Sequence, residues 1–342
     1  MTISVIGTVG VPACYGGFES LVENLIEDSQ VDYLVYCQAS TYPVKTERYN
    51  SATLKYVPLK ANGIQSIFYD AYSILHSLIF TRNDILVLGV SGAFVLPIFK
   101  LASNRKVVTN IDGLEWKRDK WGTLAKRFLK FSEKIAVRFS DTIVADNRAI
   151  ANYVAKEYGL KTVTIAYGGD HAKIRDVPRA RSDFYLALCR IEPENNIVLI
   201  LEAFEKSEER IKFIGNWQNS DFGRKLKEKY TSFKNIELIE PIYDVDKLFE
   251  LRASCKGYIH GHSAGGTNPS LVEMMHFGVN TLCFDCDYNR ESTEHLAHYF
   301  KDVRTLREHL DCTFRDNGSV MSEIACRRYT WDIIRKKYED LF

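Results

Sequence analysis

The sequence predicts an α/β protein made of two doubly wound, parallel-sheet domains. Three observations carry this expectation. Short apolar runs alternate with longer amphipathic stretches, as strands alternate with crossover helices. The alternation stops near residues 168–182, around the polar and irregular GGDHAKIRDVPRARSD, and then restarts. A length of 342 residues is what two domains of ordinary size require.

Ile3-Ser-Val-Ile6 opens the chain as a strand, and further strands fit 33–37, 53–57, 85–88, 106–110, 142–145 and 163–166. Helices fit 17–28, 64–80, 121–139 and 147–158, where apolar residues recur every three or four positions. The most apolar stretch, Ile85 to Phe99, is broken by Gly89, Gly92 and Pro97; it is too short to cross a bilayer and reads as a buried strand with a following turn. In the second half, strands fit 184–189, 211–214, 236–239, 257–260 and 280–284, and helices 196–206, 222–230, 244–253 and 270–277. Thr330 offers an N-cap to a last helix whose Trp331, Ile334, Tyr338 and Leu341 share one face. The expected domains are 1–170 and 171–328, with 329–342 returning to pack on the first.

Composition excludes several classes of function. The net charge is +1, so no global attraction to nucleic acid exists. The eight cysteines read as isolated thiols, most in apolar runs, as in a reducing cytoplasm. His260, His262 and His276 lack convincing zinc spacing, and no metal is expected.

Three glycine- or arginine-bearing stretches fall where strands end and helices begin. GTVGVPACYGGFES (7–20) is not a dinucleotide fingerprint, because the spacing of Gly7, Gly10, Gly16 and Gly17 is wrong for it. Gly16-Gly17 before a helix suits close approach of amides to a phosphate; a tight turn without ligand is the alternative. HGHSAGGTNPSLVEMMHFG (260–278) brings Gly265-Gly266 and small hydroxyls to a helix start, and its Glu273 either caps that helix or accepts a ribose. LCRIEPENN (188–196) sets Arg190 directly after a strand, where it binds a diphosphate or merely pairs with Glu192 or Glu194.

Together these stretches resemble the family-4 glycosyltransferases of the two-domain GT-B fold, and within them the bacterial group that includes rhamnosyltransferases of capsule and polysaccharide assembly. PACYGGFES is similar to that group's N-terminal glycine loop and NIDGLEWKRDKWG (110–122) to another of its hallmarks. RIEPENN stands at the family's donor-diphosphate motif, and HSAGGTNPSLVE at its E-x7-E motif. The chain departs from the pattern at three places. Gly265 replaces the first glutamate, Asn195 and Asn196 stand where a lysine is usual, and Asp112 takes the place of a histidine.

The resemblance implies a retaining transfer of a sugar from a nucleotide diphosphate sugar, dTDP-rhamnose or a UDP-sugar, to a lipid-linked saccharide, with no cofactor. It assigns donor binding to Arg190, His262, Gly266, Thr267, Asn268, Pro269, Ser270 and Glu273, with Gly16 and Gly17 across the cleft. Tyr15, Asp112 and Glu115 fall to the acceptor, and Asp112, Arg190 and Glu273 to catalysis. Asp285-Cys-Asp287 spells a metal-binding D-x-D elsewhere; here it is expected only to cap the helix near 292. An epimerase of the same fold, or a non-catalytic nucleotide-sugar-binding protein, is the alternative.

A basic segment follows Asp112. Between Lys117 and Arg138 lie eight basic and two acidic residues. On a helix, Trp121, Leu124, Phe128, Phe131 and Ile135 share a face flanked by Lys126, Arg127, Lys130 and Lys134, the pattern of an interfacial helix. Trp121 and the four cations are therefore expected to dock a cytoplasmic, peripheral protein on the anionic inner face of the cell membrane, with the apolar segment Ile64–Phe80 as the other place for such docking.

Overall fold

A computed structural model describes the chain except Tyr15, Glu115 and residues 117–121, 178–179 and 312–314. It divides into two compact units, Met1–Ala166 with Trp331–Phe342, and Tyr167–Thr330. The boundary lies a few residues before the expected 170. Gly169 N donates to Tyr329 O at 2.8 Å, which ties that segment into the second unit.

The first unit runs β1 (Thr2–Ile6), α1 (Gly17–Ile26), β2 (Asp32–Gln38), β3 (Arg48–Tyr49), β4 (Ala52–Val57), α2 (Gln65–Phe80), β5 (Asp84–Leu88), α3 (Leu96–Ala102), β6 (Val107–Asn110), α4 (Thr123–Phe139), β7 (Thr142–Ala145), α5 (Arg148–Tyr158) and β8 (Val163–Thr164). The sheet order is β3-β4-β2-β1-β5-β6-β7-β8, parallel except for the β3–β4 pair. Right-handed crossovers put α2 to α5 on one face of this sheet and α1 on the other.

Two elements differ from expectation. The turn expected after β5 is a 3-10 turn (Ala93–Val95) running into α3, and Pro97 sits in the first helical turn, where its missing N–H is harmless. In α4 the buried residues are Leu129, Ser132, Glu133, Ala136 and Val137, whereas Leu124 and Phe131 are exposed. The apolar period misleads here because buried Ser132 and Glu133 are satisfied by hydrogen bonds, Ser132 Oγ donating to Val90 O at 2.5 Å.

The second unit runs β9 (Tyr185–Leu188), α6 (Ile197–Glu205), β10 (Ile211–Ile214), α7 (Asp221–Tyr230), β11 (Ile236–Ile239), α8 (Val245–Ser254), β12 (Gly257–His260), α9 (Pro269–Met275), β13 (Asn280–Phe284), α10 (Asp287–Ser292), β14 (His298–Phe300), α11 (Val303–Asp311) and α12 (Gly318–Arg328). Its sheet is wholly parallel, ordered β11-β10-β9-β12-β13-β14. Phe204, Phe213, Trp217 and Tyr230 fill one side of the core. β14, α11 and α12 lie beyond the last expected strand.

The last helix, α13 (Trp331–Glu339), belongs to the first unit and packs beside α1. Trp331, Ile334 and Tyr338 are buried there. Arg335 donates to Asn24 O at 3.1 and 3.2 Å, satisfying a carbonyl in the last turn of α1. No described helix is long and apolar enough to cross a membrane.

Candidate functional site

Parallel doubly wound sheets bind ligands beyond the carboxyl ends of their strands, where the winding direction reverses. The reversal falls between β1 and β5 in the first unit and between β9 and β12 in the second. GTVGVPACYGG follows β1, LCRIEPENN overlaps and follows β9, and HGHSAGG overlaps and follows β12. The motifs read from sequence therefore line the two crevices. Each crevice needs a glycine. A Cβ on Gly7 would sit 2.0 Å from Leu88 O, and one on Gly261 2.1 Å from Asn195 O.

In the second unit, the loops after β9 and β12 are laced together. Asn196 Nδ2 donates to Gly261 O at 2.8 Å, and Ser263 N and Oγ both donate to Glu194 O, at 2.9 and 2.8 Å. Asn195 is buried and joins the two motifs. Its Nδ2 donates to Arg190 O at 2.7 Å, and its Oδ1 lies 2.7 Å from His262 Nδ1. A carbonyl only accepts, so the amide orientation is fixed. Oδ1 then only accepts, so Nδ1 of His262 carries a proton and Nε2 of the neutral ring is the acceptor. His262 O in turn accepts from Asn289 Nδ2 at 2.8 Å. Asn195 and Asn196 stood out in the sequence only as a missing lysine; nothing in their spacing announced this role.

Arg190 projects from the end of β9 with its side chain 57 % exposed and Glu192 at 3.4 Å. An exposed pair of this kind is worth little in water, so the guanidinium can turn to an anion. Gly266 and Thr267 lead into α9. Asn268 caps that helix, its side chain accepting from Ser270 N at 3.0 Å, and Pro269 is its first residue.

Glu273 is not in the first turn of α9, so the capping alternative fails. Its carboxylate is instead held by Arg252 of α8, a buried guanidinium in close contact with Oε2. His171 Nε2 stands 3.5 Å from Oε1. Arg252 and the neighbouring His171 hold the carboxylate in place. Arg252 carried no signal in the sequence, because a helix seen alone gives no hint of which neighbour its arginine meets.

In the first unit, the loop after β1 is shaped by carboxylates of α1. Buried Glu19 accepts from Thr8 Oγ1 at 3.0 Å and Val9 N at 2.7 Å, and Glu23 accepts from Ala13 N at 3.1 Å. Gly16 is the N-cap with extended backbone, and Gly17 opens α1. A buried carboxylate in the first turn already answers the positive end of this helix, which disfavours a phosphate beside Gly16 and Gly17. Tyr15 lies outside the described residues.

Asp112 follows β6 in a left-handed conformation, φ 57°, and its N–H donates to Asn110 Oδ1 at 3.0 Å. Buried Asn110 also donates through Nδ2 to Tyr338 Oη of α13 at 2.7 Å. Burial, and the charges of Asp146 and Asp112, push the Tyr338 phenol up. The last helix thus reaches the carboxyl end of β6. Glu115 lies outside the described residues.

Asp285 is not a cap. Arg290 grips it through Nε at 2.6 Å and a terminal nitrogen at 2.9 Å, and this holds its carboxyl below the usual range. Asp287 begins α10. No group of metal-ligating side chains gathers among the described residues. Cys283 and Cys286 do have the spacing of a dithiol pair, against the expectation of isolated thiols. Both are free, and burial pushes both thiols up, so neither is primed to react.

The basic helix departs from expectation at Lys130. Its Nζ lies 4.7 Å from the ring centres of Trp116 and Tyr153 and 4.9 Å from Tyr158, and pairs with Glu133 at 3.2 Å and Glu157 at 3.1 Å. Buried Glu133 also accepts from Trp116 Nε1 at 2.9 Å, Tyr153 Oη at 2.7 Å and Tyr158 Oη at 2.5 Å. Lys130 is therefore a half-buried cation already engaged by two carboxylates and three rings, which leaves it little to offer a docking surface. Arg127 and Lys134 are exposed, Lys126 is half-buried, and Trp121 lies outside the described residues.

The sequence model of a domain of unknown function, DUF1972, matches residues 1–170. No curated protein sequence matches the chain. Solved structures do. Sucrose-phosphate synthase from Thermosynechococcus elongatus is 12 % identical with a TM-score of 0.78, over 99 % of this chain and 98 % of that one. HepE from Anabaena, solved with UDP, is 14 % identical with a TM-score of 0.73 over the same shares. A glycosyltransferase from Rickettsia africae is 11 % identical with a TM-score of 0.72, over 99 % and 97 %. At such identities the likeness establishes the fold, which is GT-B, with two Rossmann-like parallel-sheet units.

Proposed function

We propose that this chain is a glycosyltransferase that uses a nucleotide diphosphate sugar. The observation that carries the reading is the crevice between β9 and β12. There an exposed arginine and a histidine of fixed tautomer lie on the loops that follow two neighbouring parallel strands, and the helix after the second loop carries a carboxylate pinned by a buried arginine. The fold supports it, since HepE has been solved with UDP and with UDP-glucose. In this reading Arg190 and the amides from Gly266 to Ser270 hold the diphosphate and stabilise the charge that develops as it leaves. Glu273, held in place by Arg252, accepts from the ribose hydroxyls. His262 Nε2 accepts from a sugar hydroxyl.

The acceptor falls to the first unit and its Asp112 loop. Retention of configuration follows if the acceptor hydroxyl attacks the anomeric carbon on the face the diphosphate leaves. The bond to the phosphate oxygen breaks, the new glycosidic bond forms, and the acceptor proton passes to a leaving phosphate oxygen. Asp112 then orients the acceptor. Rhamnose as the sugar and a lipid-linked saccharide as acceptor, in surface polysaccharide assembly, rest on the motif resemblance.

A panel of nucleotide sugars, with and without lipid-linked acceptors, tests the reading through release of nucleotide diphosphate. Acceptor-dependent release is expected from one donor. Epimerised sugar without release would mark an epimerase. Nucleotide binding with no turnover on any pair would mark a binding protein.

A further inference from the structure

We propose that the outer face of α2, α3 and α4 docks the first unit on an anionic lipid bilayer. The observation begins with α2. Its QSIFYDAYSILHSLIF contains no lysine, arginine or glutamate, and its one aspartate, Asp70, is buried. Burial pushes His76 down, so that ring is neutral. A surface helix ordinarily shows water its polar side. This one shows Phe68, 62 % exposed, and Phe80, 71 % exposed, with Ile64, Tyr72 and Ile79 beside them. The exposed row runs along a helix of about 24 Å.

The neighbouring helices continue the face. The three lie side by side on one face of the sheet, α3 packing against both α2 and α4. Leu101 of α3 is 88 % exposed and Leu124 of α4 is 81 % exposed. Single exposed apolar residues are ordinary; a row along one helix, with more on the two helices packed beside it, marks an interaction surface.

Charge selects the occupant. The only carboxylates in the three helices are Asp70 and Glu133, both buried. Arg127, Lys134 and Arg138 are exposed on α4. The three helices therefore present apolar and cationic side chains and no exposed acid of their own, the exposed Asp141 and Glu157 beside them being paired with Lys100 and Lys130, which matches the interface of an anionic bilayer. A second copy is disfavoured, because a two-fold contact would set these cations against themselves with no acid of the three helices to meet them. The inference gives the proposed lipid-linked acceptor a surface on which to be met, yet its test needs no turnover and stands apart from that reading.

The test is co-sedimentation of the full chain with vesicles of phosphatidylglycerol in phosphatidylcholine, and with phosphatidylcholine alone. The variants are Phe68→Ser with Phe80→Ser, and Arg127→Glu with Lys134→Glu and Arg138→Glu, each checked for an unchanged melting temperature. Each set is expected to lower binding to the anionic vesicles at least about tenfold. High salt should mimic only the charge variant. If the serine variant unfolds, a dye on Phe68→Cys, in a chain with Cys14, Cys312 and Cys326 changed to serine, replaces it. Its emission should shift to the blue on anionic vesicles, while the same dye on Lys336→Cys of α13 stays unchanged. The proposal is overturned by wild-type vesicle binding in folded variants, by no binding of the wild type, or by a wild-type dimer that the serine changes split without loss of vesicle binding.

Discussion

Asn195 shows how much one buried amide decides. It accepts from His262 and donates to the carbonyl of Arg190, so it sets the proton of one candidate donor ligand and the backbone of another. Asn195→Asp should place a carboxylate on the protonated Nδ1 and raise the His262 pKa by about a unit or more, read by ring 15N shifts against pH. An unmoved titration would dissolve the link. Arg190→Ala should weaken donor nucleotide binding or turnover by about 1.5–3 kcal/mol with the fold intact, since it removes a charged hydrogen bond. Asp70 offers a test by pH. Burial raises its carboxyl from 3.8 to about 7, although Ser91 donates to it. The native state then holds a proton that the unfolded state has lost. Stability from this group is full below about pH 4, falls between about 4 and 7, and is level above, by on the order of a few kcal/mol. Asp70→Asn should flatten that slope in denaturant titrations at successive pH values.

Among the elements, α4 carries the sharpest lesson. Its sequence reads as an amphipathic helix with a cationic flank, but its core contact is a buried carboxylate. Glu133 collects two phenols, an indole and an ammonium, and so anchors Trp116 beyond the Asp112 turn to α4 and α5. Glu133→Ala should cost about 1–3 kcal/mol and lower the melting temperature of the first unit, because Trp116, Tyr153 and Tyr158 would lose their buried acceptor while Lys130 keeps Glu157. A loss below about 1 kcal/mol in chemical denaturation would mean that the cluster is solvated. The helix α9 teaches the reverse. Its start is legible, since Asn268-Pro269 is a cap followed by a first-turn proline, and Asn268 does accept from Ser270 N. What Glu273 meets is not legible, because Arg252 comes from another helix.

At the scale of the molecule, the chain ends in the unit where it began. Trp331, Ile334 and Tyr338 bury their side chains in the first unit, and Tyr338 reaches Asn110 beside Asp112. Truncation after Thr330 should therefore destabilise the first unit by several kcal/mol, from about 1.5–3 kcal/mol for each buried side chain, lowering its thermal transition and leaving that of the second in place. Calorimetry that moved both transitions equally, or neither, would contradict this division of the chain.

The sequence by itself determined the alternation of strands and helices, the restart near residue 168, and the places of the three motifs. These are local: a strand's apolar run, a glycine turn and a helix cap are each written in neighbouring residues. The strand order was also within reach, because right-handed crossovers leave few ways to wind such a chain. The tertiary structure decided what distance along the chain conceals. Asn195 with His262, Arg252 with Glu273, Asn110 with Tyr338, and Asp285 with Arg290 are pairings of polar groups, and no hydrophobic period records them. It decided likewise that Leu124 and Phe131 face outward while Ser132 and Glu133 face in. Periodicity assumes that buried means apolar, and a buried polar group whose hydrogen bonds are met by distant partners breaks that assumption.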